Sequence, residues 1–120
     1  MTDSKQWQAV CSKRDLVPDS GIAVWTEQGP VAVFSVPEVE PGLFAIGHYD
    51  PIGKANVLAR GIVGDIKGEP VVASPLYKQH FSLRSGQCLE NPDASVPVYA
   101  VRLQGEQLEI GLPRRSEQAA

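Results

Sequence analysis

Four side chains in this sequence can bind a metal strongly through nitrogen or sulfur: Cys11, His48, His80 and Cys88, the full supply of both residue types. Zinc sites draw such ligands in close pairs, C-x-x-C or H-x3-H, and no pair of that kind occurs. The cysteines therefore read as small buried hydrophobes and the histidines as polar loop residues. Proton transfer is the next chemistry to weigh. His48-Tyr49-Asp50 places a base, a phenol and a carboxylate in a row. Neighbours in an extended chain point to opposite sides, however, and no Ser or Cys nucleophile is tied to them, so they read as loop-structuring groups. The stretch GHYDPIGKA, from Gly47 to Ala55, comes near a phosphate loop. It has five residues between its glycines and an alanine where the magnesium-binding hydroxyl would stand, against four residues and a Ser or Thr in the motif. No long helix follows to aim its N-terminus at a phosphate. None of these patterns specifies an active site.

The elements that must carry these residues are strands. Short runs rich in Val, Ile and aromatics cover 7–11, 21–26, 31–36, 43–47, 62–66, 71–74, 98–103 and 107–111, each closed by Gly, Pro or Asp. Lys67-Gly68-Glu69-Pro70 and Gln104-Gly105-Glu106 are hairpin signals. One helical turn or two is expected around 55–60, stopped by Gly61. Ten prolines and 11 glycines leave few windows long enough for any other helix. No internal repeat stands out. The pattern predicts an all-β fold: a sandwich or small barrel of antiparallel strands with little helix. Trp7, Trp25 and Phe34 lie in apolar strands and are expected in the core. Two segments escape the strand pattern, 48–60 and 75–86, and loops held by a rigid sheet are where function concentrates.

With 120 residues, 42% hydrophobic and 21% charged, the chain has room for one ordinary core and the balance of a folded domain. We expect a single domain over 1–112 and a flexible polar tail over 113–120. The net charge of −3 gives no electrostatic footprint for nucleic acid or anionic lipid. Lys13-Arg14 and Arg114-Arg115 read as solvated surface. The apolar runs are strand-sized, so no bilayer span is expected. Residues 1–6 lack the apolar stretch of a secretory signal, and two cysteines make no disulfide framework. A cytoplasmic location follows as the expectation.

The second loop carries a specific signal. VASPLYKQHFSLRSGQC, from Val72 to Cys88, resembles the second cluster-binding stretch of Rieske ferredoxin domains. That family places Cys-Pro-x-His there, then a Phe in the next strand and a Gly-closed turn; Pro75, Phe81 and Ser85-Gly86 match. Leu58-Ala59-Arg60-Gly61 resembles the exit from the first cluster loop. The resemblance runs from about residue 7 to 111 and implies a Rieske-like sandwich. The ligand positions differ. Ser74 stands for the cysteine and Tyr77 for the histidine, and Asp50-Pro51-Ile52-Gly53 takes the place of the Cys-x-His pair, give or take one residue. A Rieske centre needs two thiolates on one iron and two imidazoles on the other. Serine and tyrosine oxygens do not reproduce that soft, mixed set, so no bound cluster, cofactor or metal is expected.

A Rieske-like domain of this length, with its Asp-Pro loop and its Ala73-Ser74-Pro75-Leu76 stretch, resembles the small subunits of assimilatory NAD(P)H-dependent nitrite reductases. Asp50, Pro51, Leu58, Arg60, Gly61, Ala73, Ser74, Pro75, Leu76, Lys78, Gln79, Phe81 and Gly86 carry that resemblance. It implies a cytoplasmic accessory chain with no active site of its own. The partner would be a large subunit that holds FAD, an iron–sulfur cluster and sirohaem and reduces nitrite to ammonium. No catalytic or cofactor-binding residue carries over. In place of a ligand, Tyr77 is expected to pack between the loops and donate its hydroxyl to Asp50. Tyr49, Pro51, Ile52, Leu76 and Lys78, at the loop tips, are the candidates for partner contact. The rival readings are a stand-alone protein-binding module with a degenerate Rieske ferredoxin fold and a cluster-binding electron carrier with unusual ligands.

Overall fold

A computed structural model describes residues 5–113. Its strands are β1 (Lys5–Ser12), β2 (Ser20–Thr26), β3 (Gly29–Ser35), β4 (Leu43–Gly47), β5 (Tyr49–Asp50), β6 (Ala55–Asn56), β7 (Ile62–Ile66), β8 (Glu69–Ala73), β9 (His80–Ser82), β10 (Val98–Gln104) and β11 (Gln107–Pro113). All eight strands expected from the sequence form, with ends within two residues of the expected ones. The short strands β5, β6 and β9 are additions within the two segments left as loops.

The strands form a six-stranded sheet ordered β1-β11-β10-β4-β3-β2, a three-stranded sheet β7-β8-β9 and the β5-β6 ribbon. Every pairing of named strands is antiparallel. The larger sheet curls until its two edges approach, and the Gln8 side-chain oxygen on β1 accepts the Glu27 N–H just past β2 at 3.1 Å. Curling gives this sheet two covered faces. Val31 and Val33 point into the curl with Val24, Ala45, Leu108, Ile110 and Leu112. Ala32 and Phe34 point the other way, against Phe44, Ile46, Leu58, Val72, Phe81 and Leu83. A strand buried on both sides has no polar face to show, which explains the unbroken apolar run in β3.

Four expectations are corrected. Trp25 is 72% exposed, because Val24 and Thr26 take the inward positions of β2 and alternation turns the indole out. Trp7 is half-buried beneath the Arg102 guanidinium, 3.9 Å from its ring centroid; Phe34 is fully buried as expected. The expected helix over 55–60 shrinks to one 3-10 turn, Leu58–Arg60, because Ala55–Asn56 pairs as β6 with β5. Cys88 is buried, whereas Cys11 is only half-buried. Lys13 and Arg14 are exposed in a 3-10 turn capped by Ser12 and Asp15. Arg114, Arg115 and the rest of the expected tail beyond Pro113 lie outside the described residues. Among those described, no helix is long and apolar enough to cross a membrane.

Candidate functional site

Two loops meet at one end of the molecule, the turn between β5 and β6 and the connection between β8 and β9. They share a five-residue pattern, Asp50-Pro51-Ile52-Gly53-Lys54 and Ser74-Pro75-Leu76-Tyr77-Lys78. Each opens on a small polar residue and a proline, then a branched aliphatic, and closes on a lysine in the left-handed region, φ +61° at Lys54 and +60° at Lys78. The Lys54 N–H donates to the Asp50 carbonyl at 2.6 Å, and the Lys78 N–H to the Ser74 carbonyl at 3.0 Å. In both, the leading side chain also accepts from the backbone two residues on: Ile52 N–H to Asp50 Oδ1 at 2.8 Å, Leu76 N–H to Ser74 Oγ at 3.3 Å. Asp and Ser suit this position because a short side-chain oxygen can mimic a turn's carbonyl.

The two leading residues then find each other. The Ser74 hydroxyl donates to Asp50 Oδ2 at 2.5 Å, and both side chains are buried, each 1% exposed. Asp50 Oδ1 takes a second backbone donor, the Gly53 N–H at 3.0 Å. The buried carboxylate thus accepts three hydrogen bonds, which is what burying a charge requires. Gly53 allows the approach: a Cβ there would sit 2.4 Å from Leu76 Cδ1.

His48 is the footing of the first loop rather than a polar loop residue. It is buried, its Nδ1 accepts the Ala59 N–H at 3.1 Å, and its carbonyl accepts from Val57 and Leu58. Burial, and then the Arg60 charge, push its pKa below the ordinary value, in keeping with a neutral ring protonated at Nε2. Tyr49 points out between two buried neighbours, so strand alternation turns it away from His48 and Asp50.

Behind the second loop, His80 meets Glu90 twice: its N–H donates to Oε1 at 2.8 Å and its ring Nδ1 lies 2.6 Å from Oε2. Burial pushes the Glu90 carboxyl up, but these bonds from His80 outweigh it and hold the pKa below the ordinary value. Ser82 gathers a further knot, donating to Glu69 and accepting the Arg84 and Ser85 N–H groups at 3.1 Å each.

The structure brings Asp50, Pro51, Gly53 and Ser74 together and leaves Tyr77 out. Tyr77 is 67% exposed and has no part in the Asp50 carboxylate's bonds. The expected Tyr77–Asp50 bond is therefore replaced by Ser74–Asp50, since Ser74 already lies beside the carboxylate and the turn into Lys78 carries Tyr77 outward. Tyr49, Leu76 and Lys78 are exposed, and Pro51 and Ile52 half-buried. Sequence alone does not reveal the Asp50–Ser74 pair; its signal is the DPIGK and SPLYK echo, a short repeat hidden by a separation of 24 positions between its leaders.

The donor set does not fit a Rieske cluster. Such a centre takes two thiolates and two imidazoles, and the two loops offer a carboxylate and two hydroxyls. Cys11 sits on β1, Cys88 beyond β9, His48 has its Nδ1 engaged with Ala59, and His80 faces Glu90. Among the described residues no three His, Cys, Asp or Glu side chains gather as a metal set.

Comparison with known proteins agrees with this frame. The family described as "Rieske-like [2Fe-2S] domain" matches residues 6–111. A Salmonella typhimurium protein named nitrite reductase (NADH) small subunit is 40% identical over 98 residues, 82% of this chain and 90% of that protein. The solution structure of the nitrite reductase [NAD(P)H] small subunit from Erwinia carotovora is 37% identical and superposes with a TM-score of 0.73, covering 90% of this chain and 82% of that one. A Klebsiella oxytoca protein named nitrite reductase [NAD(P)H] large subunit is 32% identical over 108 residues, 90% of this chain but 11% of that protein. The chain belongs to the Rieske-like domain family and, within it, to the small subunits of NAD(P)H-dependent nitrite reductase.

Proposed function

We propose that this chain is an accessory subunit of a cytoplasmic, assimilatory nitrite reductase, binding its large subunit and holding no redox centre itself. The observation that carries this reading is the Klebsiella oxytoca match. Nearly the whole of this chain corresponds to a small portion of a protein named as the large subunit, so the same domain occurs within one polypeptide of that kind. A domain found fused in one organism and separate in another is expected to meet the rest of that polypeptide through its surface. The chemistry of the loops supports the second half of the reading. Serine, tyrosine and aspartate oxygens suit neither iron of a Rieske centre. Electrons from NAD(P)H would pass through FAD, the iron–sulfur cluster and sirohaem of the large subunit, and this chain's residues would supply shape and contact.

The contact surface is the loop end, with Tyr49, Pro51, Ile52, Leu76 and Lys78. Deleting the gene should abolish growth with nitrite as the sole nitrogen source, and the full chain supplied in trans should restore it. Undiminished growth of the deletion strain would contradict the assimilatory role. The purified chain should be colourless and free of iron; a visible absorption with stoichiometric iron would restore the electron-carrier reading.

A further inference from the structure

We propose that the Asp50–Ser74 hydrogen bond locks the two tip loops into one shape, and that an acidic protein surface recognises this locked tip. The inference deepens the functional reading above and takes the large subunit as the protein that bears the acidic surface. Its basis is geometric. Two loops from different sheets, joined by no strand pairing between β5-β6 and β7-β8-β9, are tied at their leading residues by one buried hydrogen bond. The same two side chains hold the Ile52, Gly53 and Leu76 N–H groups, so the lock and each loop's own turn share atoms. Where the fold family would use metal bonds, this chain uses a carboxylate and a hydroxyl.

What the lock presents has a definite chemistry. Leu76 and Tyr77 are 44% and 67% exposed, and Tyr49, just ahead of the first loop, 49%. Exposed apolar and aromatic groups held by a rigid scaffold are the usual anchors of an interface. The exposed charges within the two loops are Lys54 and Lys78, both positive, while the loops' one acid, Asp50, is buried. Two exposed lysines on the same loops as exposed apolar and aromatic side chains, on a chain of net charge −3, select an acidic surface by complementarity. The left-handed backbone at both lysines fixes where each leaves the turn.

The test compares the full-length wild type, Asp50→Ala, Ser74→Ala and the Lys54→Glu/Lys78→Glu double variant. Two readouts are needed: amide hydrogen exchange on the free chain, and affinity for the purified large subunit at low and high salt. Loss of the lock should speed exchange at Ile52, Gly53 and Leu76 about tenfold or more while strands β3 and β11 keep their protection. Affinity should fall by a similar factor. If Asp50→Ala does not fold, Ser74→Ala leaves the carboxylate its backbone donors and serves alone. The double charge reversal should weaken binding about tenfold or more and flatten its salt dependence, with exchange unchanged. Unchanged exchange in the lock variants overturns the lock, and unchanged affinity in the lysine variant overturns the acidic surface. Failure of the wild type to bind the large subunit at all overturns the functional reading and the choice of partner, while the exchange rates still decide the lock.

Discussion

Single residues in this chain carry consequences that follow from their immediate surroundings. Gly61 closes the Leu58–Arg60 turn, and a Cβ there would stand 2.3 Å from the Ala73 carbonyl oxygen and 2.6 Å from Val72 Cγ2. Backbone cannot step aside as a side-chain end can, so Gly61→Ala should cost about 2–3 kcal/mol, read as a lowered urea midpoint. Gly86 is held more tightly still, with φ +78° and a Cβ position 2.1 Å from the Val96 carbonyl oxygen. Both glycines belonged to the sequence resemblance, and these contacts are their physical reason. His48 carries a pH signature. Its folded pKa lies below the ordinary 6.5 because of burial and then Arg60, so the unfolded chain takes up the proton first as pH falls. The associated stability is complete above about pH 6.5 and declines as pH drops toward the folded value. Urea midpoints between about pH 8 and pH 5 should fall for the wild type and fall less for His48→Gln.

At the scale of elements, strand existence was readable because alternation and turn residues are local properties. The 43–47 and 62–66 runs form strands with those same bounds. What escaped reading depends on partners distant in sequence. Ala55–Asn56 has the composition of a helix start, and only its pairing with Tyr49–Asp50 makes it a strand. The apolar neighbours of Trp25 suggest a core position, but β2 is an edge strand whose inward positions fall to Val24 and Thr26. The Asp50–Ser74 contact spans 24 residues, and a sequence read position by position does not register such a span. Size and chemistry favour Tyr77 for that role, but Ser74 lies closer and its hydroxyl makes the bond. Elements also depend on polar knots. Ser82 is buried and ties the 82–86 turn to Glu69 and to two backbone N–H groups. Ser82→Ala should therefore lower stability by about 2 kcal/mol. The His80–Glu90 tie is more exposed, and Glu90→Gln should cost no more than about 1 kcal/mol. Glu90's pKa is held down in the fold, so its contribution is present above the ordinary carboxylate value of 4.5 and is lost as pH falls through the lower folded value.

For the whole molecule, the curled six-stranded sheet and the smaller sheet give one fold with two apolar cores. The end that carries the two loops is built on short ribbons and turns, held by Asp50 and Ser74. That division of labour suits the proposed accessory role, in which the strands support the two loops as a shaped contact. The family was legible in the sequence because the frame around the ligand positions survives in Pro75, Phe81 and Gly86. Cysteine and histidine are scarce enough to count, so which residues the two loops offer was legible too. What joins the loops was not legible, because it is a contact rather than a motif. The most direct measurement is a pull-down with the full chain as bait, from cells of its source grown on nitrite, followed by the absorption spectrum of what is retained. The account predicts flavin and sirohaem bands on the retained large subunit, together with NAD(P)H-dependent nitrite consumption. Retention of no such reductase would contradict it and leave the chain a binding module of another complex.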